Sequence, residues 1–301
     1  MQEIQFKRTE LEDREWMHSY FLKFPSQSCE RTFTNALLWS RYYPVKFAVI
    51  KDTLVFGWEK DGTMLFSYPA GKKEDVRETV DFLIEYAKEC QKDFRLYHVT
   101  ANQFAQLEEW YPERFEIAYD RDIADYIYES EKLATLAGKK LHSKRNHINK
   151  FKELHSNWSY ETMSEDNIEE CFQMALKWRN ANGCDEDDEK NAEMCVTLNA
   201  LRLFKELELT GGVLKVDGKV IAFTIGEPIC EDTFVVHIEK AFADVQGAYP
   251  MINQQFVQHE CMNYQYINRE EDTGSEGLRK AKLSYRPAFL VEKGIVKEKI
   301  Q

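Results

Sequence analysis

A chain of 301 residues with 43% hydrophobic and 13% aromatic content has ample apolar material for packed cores, which excludes a disordered polymer. Its 40 Lys and Arg stand against 52 Asp and Glu, a net charge of −12, which argues against non-specific binding of duplex DNA. The amino terminus is charged throughout, no run of about 18 apolar residues occurs, and the cysteines are scattered without a Cys-x-x-Cys pair, so a cytoplasmic protein with reduced thiols and no membrane span is expected. The histidines form no His-x-x-x-His pair, and no metal site is expected.

Taken in order, Leu11–Phe24 reads as a helix with Trp16, Tyr20 and Phe24 at spacing four, and Phe33–Tyr42 as a second. Lys46–Ile50 and Thr53–Gly57 read as a hairpin across Lys51-Asp52, and Met64–Tyr68 as a third strand stopped by Pro69-Ala70-Gly71. Val76, Val80, Leu83, Ile84 and Ala87 give Glu74–Cys90 an amphipathic helical pattern. A strand at 95–100, a helix at 101–110 closed by Pro112, and strands at 115–119 and 124–128 complete the first half.

The stretch 138–152 then reverses the sign of the charge. From Lys132 to Lys152 there are seven basic residues and no acid, while Leu141, Ile148, Phe151 and Leu154 fall on one side at helical spacing. An amphipathic helix with a basic outer face is expected. One reading is a solvated face or connector; the other is a docking surface for the phosphates of a nucleotide, coenzyme or RNA.

Beyond it the order of elements returns: helices at 166–180 and 191–207 around the acidic loop 185–189, a hairpin 212–216 and 220–225 across Asp217-Gly218, a strand 233–240, a helix 250–262, a strand 264–268, a helix 275–284, and final strands 289–291 and 295–297. Leu54 and Ile221, Phe66 and Val235, and Leu96 and Gln265 stand at a near-constant separation in the chain. The order of elements therefore repeats. It predicts a mixed α/β (α+β) protein of two tandem domains, 1–128 and 129–301, each with a mixed central sheet flanked by helices.

The candidate site lies in the second half. Gln246-Gly247-Ala248-Tyr249 connects a strand to a helix beginning near Pro250, and such a turn offers unpaired N–H groups and a positive dipole end to a phosphate. It is equally what any strand–helix turn looks like. The order hairpin, strand, glycine-bearing loop, helix, strand, helix is similar to that of the GNAT (acyl-CoA N-acyltransferase) enzymes, and Gln246-Gly247-Ala248 resembles their pyrophosphate loop, with Gln246 directly before Gly247 in place of a longer spacing.

A closer resemblance rests on three stretches: Asp125-Tyr126-Ile127-Tyr128 running on to Gly138–Phe151; Gly247–Phe256; and Ile267–Tyr285. They resemble a bacterial family grouped with the C-terminal domain of phosphatidylglycerol lysyltransferases. That resemblance implies a tandem GNAT-like fold related to the FemABX aminoacyl transferases, which take an activated amino acid from tRNA. No membrane-spanning half like that of the lysyltransferases is expected in this chain.

Transfer of this kind needs a positioned donor, a base, an oxyanion donor and an acid for the leaving group. Lys139, Lys140, Lys144 and Arg145, with Asn146, are the candidate donor-phosphate ligands, joined by Gln246, the amides of Gly247 and Ala248, and Tyr249. Glu239 at a strand end is the candidate base, or else the partner of a lysine. Asn268 closes the next strand, and Arg269, Glu270, Glu271 and Asp272 suit a cationic acceptor or simply precede a helix. Lys280 and Lys282 follow, and Tyr285 is the candidate acid or a packing residue. The first half offers no comparable polar cluster and reads as a supporting domain. The expected function is transfer of an acyl or aminoacyl group, from aminoacyl-tRNA or acyl-coenzyme A as co-substrate, to an amine or hydroxyl of a small molecule, peptide or lipid. The alternative is a non-catalytic protein of the same fold that binds an anionic metabolite, RNA or an acidic partner.

Overall fold

The computed structural model describes residues 4–299. The chain divides into two compact units. Unit 1 holds the chain through Asp125, the short segment Glu271–Ser275 and the chain from Leu290; unit 2 holds Tyr126–Glu270 and Glu276–Phe289.

Unit 1 begins with α1 (Arg14–Lys23) and α2 (Phe33–Trp39), the latter capped by the Thr32 hydroxyl, which accepts from the Asn35 N–H. Strands β1 (Lys46–Ile50), β2 (Thr53–Lys60) and β3 (Thr63–Ser67) form an antiparallel meander. Lys51 and Asp52 turn the first hairpin with positive φ, the backbone hand that a two-residue connection requires. Helix α3 (Lys73–Glu89) then carries the chain to β4 (Asp93–Thr100), parallel to β3. Its apolar stripe is buried with Ala48, Val55, Phe66 and Leu96 in one core. Helix α4 (Ala101–Trp110), with a reciprocal cap between Thr100 and Gln103, leads to β5 (Phe115–Glu129), which serves unit 1 through Asp125.

Unit 2 opens with α5 (Ser130–Thr135) and α6 (His142–Leu154), then β6 (Trp158–Thr162), α7 (Ile168–Ala181) and α8 (Asp188–Arg202). Strands β7 (Thr210–Val216), β8 (Lys219–Cys230) and β9 (Thr233–Ala241) continue from β6 as an antiparallel meander. Helix α9 (Ala248–Glu260) crosses to β10 (Tyr266–Asn268), parallel to β9. Helix α10 (Glu276–Leu283) precedes the last strand, β11 (Phe289–Glu298). Phe151, Phe223, Phe234, Phe256 and Ile267 are buried in this unit, with the Phe234 and Phe256 rings 5.7 Å apart. Burial of each such side chain is worth about 1.5–3 kcal/mol.

The repeat is visible in the pairing. Each unit has a meander, a helix, a parallel strand, and then an antiparallel neighbour taken from the other half of the chain. β11 pairs with β4 in unit 1, and residues 127–129 of β5 pair with β10 in unit 2. This is the mixed α/β architecture expected from the element order. The expected second domain ran unbroken from 129 to 301, whereas 271–275 and 290–299 make their contacts in unit 1. The pairs 115–119/124–128 and 289–291/295–297 are each one continuous strand, and α5 and β6, both short, carry too weak a pattern to stand out. The acidic loop supplies a helix cap: the Asp187 carboxylate accepts from the Glu189 and Lys190 N–H groups at 3.1 and 3.0 Å.

Candidate active site

Because β9 and β10 are parallel, both release the chain at the same edge of the unit 2 sheet, where ligands of α/β folds usually bind. Glu239 stands near the end of β9 and Arg269 just after β10. One Glu239 oxygen accepts from Arg269 Nη2 at 2.9 Å, and the other accepts from Asn253 Nδ2 of α9 at 3.1 Å. The two side chains are only 11% and 12% exposed. The Arg269 guanidinium lies 4.9 Å from the Tyr285 ring centre and 5.8 Å from that of Tyr128. Lys144 of the basic helix reaches the same place, its ammonium 4.0 Å from the Tyr285 ring centre.

The electrostatics follow from this packing. Burial opposes the Arg269 charge, but Glu239 and the two phenols outweigh it and hold its pKa above the ordinary value. Burial pushes the Tyr285 phenol up, against the pull of Arg269, so it keeps its proton. Burial, and then the Arg269 charge, lower the pKa of Lys144. Two buried atoms of this cluster have no hydrogen-bond partner among the described residues: the donor Arg269 Nη1 and the acceptor Asn253 Oδ1. Buried polar atoms are seldom left unpaired, so these two mark unused hydrogen-bonding capacity beside Glu239.

The other sequence-predicted residues divide by what they touch. Lys139, Lys140, Asn146, Gln246 and Lys280 are exposed, Asn146 lying 3.3 Å from the His142 ring nitrogen. Arg145 donates to the carbonyls of Leu136 and Gly138, tying down the loop that leads into its own helix, so its charge is partly spent there. The Ala248 N–H donates to the Val245 carbonyl, so it is not a free phosphate ligand. Gly247 has φ 85°, and a Cβ there would meet the His147 carbonyl of α6 at 2.5 Å; the glycine serves the close approach of two helices. The basic helix and the glycine turn are therefore neighbours. Tyr249 is largely buried, which raises its pKa, and it lies against Trp178 and the Ala241 backbone.

Asn268 is fully buried and its side-chain oxygen accepts from the Glu270 N–H at 2.6 Å, so it shapes the turn behind Arg269. The buried Lys282 ammonium donates to the carbonyls of Arg269 and Glu270 at 2.6 and 3.2 Å, a bolt on the same turn. Glu270 accepts from His237 at 2.8 Å. Glu271 and Asp272 belong to unit 1, where Glu271 faces the Cys29 thiol and Asp272 pairs with Arg121 at 3.4 Å.

His237 and Asn253 escaped the sequence reading. The available signal was period-two: His237 and Glu239 project from the same face of a largely buried strand. The expectation that the first half holds no polar cluster is overturned. In unit 1 the fully buried Lys293 ammonium lies 2.8 Å from Asp125, 2.7 Å from Glu30 and 3.7 Å from the Cys29 sulfur. Its members come from residues 29, 30, 125, 271 and 293, so no local motif announces it. Burial, Asp125 and its acidic neighbours hold the Cys29 thiol well above its usual range. Asp125, Cys29 and Glu30 outweigh burial to raise Lys293 strongly. Neither group is a nucleophile in that state. Cys29, Asp125 and Glu271 bring possible ligand atoms within 4.8 Å of one another, and the Lys293 ammonium already supplies positive charge against Asp125. The chemistry therefore points to unit 2.

Comparison with known proteins agrees with the fold. A conserved protein of unknown function from Bacteroides thetaiotaomicron is 41% identical, with a TM-score of 0.91 over 99% of this chain and 100% of that one. L-PGS of Bacillus licheniformis shares the fold at 13% identity, with a TM-score of 0.67 over 100% of this chain and 95% of that one. An uncharacterized protein of Mycoplasmoides gallisepticum is 24% identical over 194 residues, 63% of this chain and 61% of the relative's length. The model of the family described as phosphatidylglycerol lysyltransferase, C-terminal, matches residues 22–296, and the chain belongs to that family.

Proposed function

We propose that unit 2 transfers an aminoacyl group from an RNA-linked ester to an amine or hydroxyl acceptor. Family and fold support an acyltransferase-type protein; the finer reading rests on the unpartnered pair Arg269 Nη1 and Asn253 Oδ1 beside Glu239. An α-aminoacyl ester carries a carbonyl oxygen for the first and an ammonium for the second. An acetyl group carries only the carbonyl.

In this reading the acceptor nitrogen or oxygen attacks the ester carbonyl carbon while Arg269 donates to the oxygen as it gains charge. Nη1 serves the substrate while Nη2 keeps its bond to Glu239, and the Glu239 carboxylate takes the acceptor's proton. The carbon–oxygen bond to the ribose breaks, and Tyr285, which holds its proton, supplies it to the leaving oxygen. Exposed Lys139 and Lys140, with Lys144, attract the donor's phosphates. The acceptor is a small molecule, peptide or lipid; among the described residues no helix is long and apolar enough to cross a membrane.

Glu239→Gln tests the reading. With a mixed pool of aminoacyl-tRNA and a bacterial small-molecule and lipid extract, wild type is expected to move label from tRNA to an acid-stable product. Glu239→Gln should lose this about 100-fold or more while still binding tRNA. Binding should weaken steeply with salt, with a shallower slope in Lys139→Ala plus Lys140→Ala. Wild type that binds no tRNA sinks the proposal. Binding without transfer by wild type favours the second reading, a non-catalytic anion binder, which the closed Glu239–Arg269 pair also suits.

A further inference from the structure

His237 projects from β9 two residues before Glu239, its side chain only 4% exposed. Its Nε2 lies 2.9 Å from the Glu227 carboxylate of β8, and its Nδ1 lies 2.8 Å from the Glu270 carboxylate. An ionised carboxylate only accepts hydrogen bonds, so a ring held between two of them carries a proton on both nitrogens. The charge balance is local. Glu227 and Glu270 face the ring, Arg269 is paired with Glu239, and Lys282 of α10 is placed on the backbone carbonyls of Arg269 and Glu270.

Glu270 directly follows Arg269 and has φ 54°, the left-handed region that a glutamate adopts only when its surroundings hold it there. Those surroundings are explicit. Asn268 accepts from its N–H, the Tyr126 N–H and Lys282 donate to its carbonyl, and the Arg269 N–H donates to the Tyr126 carbonyl. These bonds fix the backbone. The Glu270 carboxylate is held by His237.

We propose that His237, as an imidazolium clamped by Glu227 and Glu270, is a positioning residue that locks the strained Arg269-Glu270 turn and so aims the Arg269 guanidinium at Glu239 and the substrate carbonyl. The role for substrate rests on the function proposed above; the lock itself does not. Neutralising or removing the ring leaves the buried Glu227 carboxylate facing the partly buried one of Glu270, and their repulsion displaces Glu270. Arg269 then loses its fixed direction, although its own ion pair is untouched by the substitution. Burial by itself lowers the pKa of a histidine, and here the two carboxylates outweigh it, raising His237 to about 10.

The test uses nitrogen-15 NMR on the full chain, with no substrate required. In wild type both His237 ring nitrogens should resonate as protonated from pH 6 to 8.5. The Arg269 guanidinium N–H signals, assigned by their loss in Arg269→Lys, should exchange slowly. In His237→Gln their exchange should accelerate about tenfold or more, as expected for a local opening, while Arg31 of unit 1 is unchanged. If that variant does not fold, Glu227→Gln, which retains the ring, is read in the same way and should shift Arg269 in the same direction. One unprotonated His237 nitrogen at pH 7, or Arg269 signals unchanged in whichever variant folds, overturns the proposal. Failure of tRNA binding or of transfer with the expected Arg269 response would sink the functional reading and leave the lock standing.

Discussion

Lys293 shows how much one side chain can carry. It is a fully buried lysine in the middle of β11, with Asp125 and Glu30 within 2.8 Å. Removing the ammonium but keeping the bulk, Lys293→Met, strands the buried carboxylates without their counter-charge. The expected loss is about 3–5 kcal/mol in denaturant unfolding of the intact chain. A loss within about 1 kcal/mol would mean that these charges are solvated, as in a surface pair. The cluster could not be read from sequence because its members are neighbours only after folding. Glu239 and Arg269, by contrast, were legible individually, since each ends or follows a strand with a recognisable apolar pattern. That they bond to each other, with Asn253 on the second Glu239 oxygen, depends on parallel pairing of β9 with β10, which no local pattern states.

At the scale of elements, the turn into α9 is the most constrained piece near the site. Gly247 combines positive φ with a carbonyl of α6 where a side chain would begin. Gly247→Ala therefore strains both backbone and packing, and an unfolding cost of about 1–3 kcal/mol is expected. Thermal unfolding that is unaffected would show that the α6–α9 approach is loose. The basic helix was predicted from charge and period, and it forms with Leu141, Ile148 and Phe151 buried. Leu154, assigned to the same stripe, is 51% exposed, because the helix ends there and nothing remains for it to pack against. The positive face also has less free charge than its composition suggests. Arg145 caps backbone carbonyls, Lys132 pairs with Glu129, and Lys150 pairs with Glu153. Composition counts charges; only the fold says which are spent.

For the whole molecule, the C-terminal strand is the clearest case of sequence order and spatial order parting. Residues 290–299 follow all of unit 2 in the chain yet belong to unit 1, where β11 pairs with β4 and brings in Val296 and Lys293. Truncation after Ala288 should therefore open unit 1. Limited proteolysis is expected to cut within residues 4–125 far sooner than within 130–260, while protection confined to the same pattern as the full chain would contradict the assignment. The sequence alone determined the repeat, the mixed α/β class, the apolar faces and the basic helix, since each is a periodic or compositional property that neighbouring residues express together. The tertiary structure alone decided the exchange of end strands between the halves, the buried Lys293 cluster, the Glu227–His237–Glu270 clamp and the unpartnered atoms of Arg269 and Asn253. These depend on contacts between residues far apart in the chain, and the free energy of a buried charge or an unpaired donor is set by what surrounds it in space.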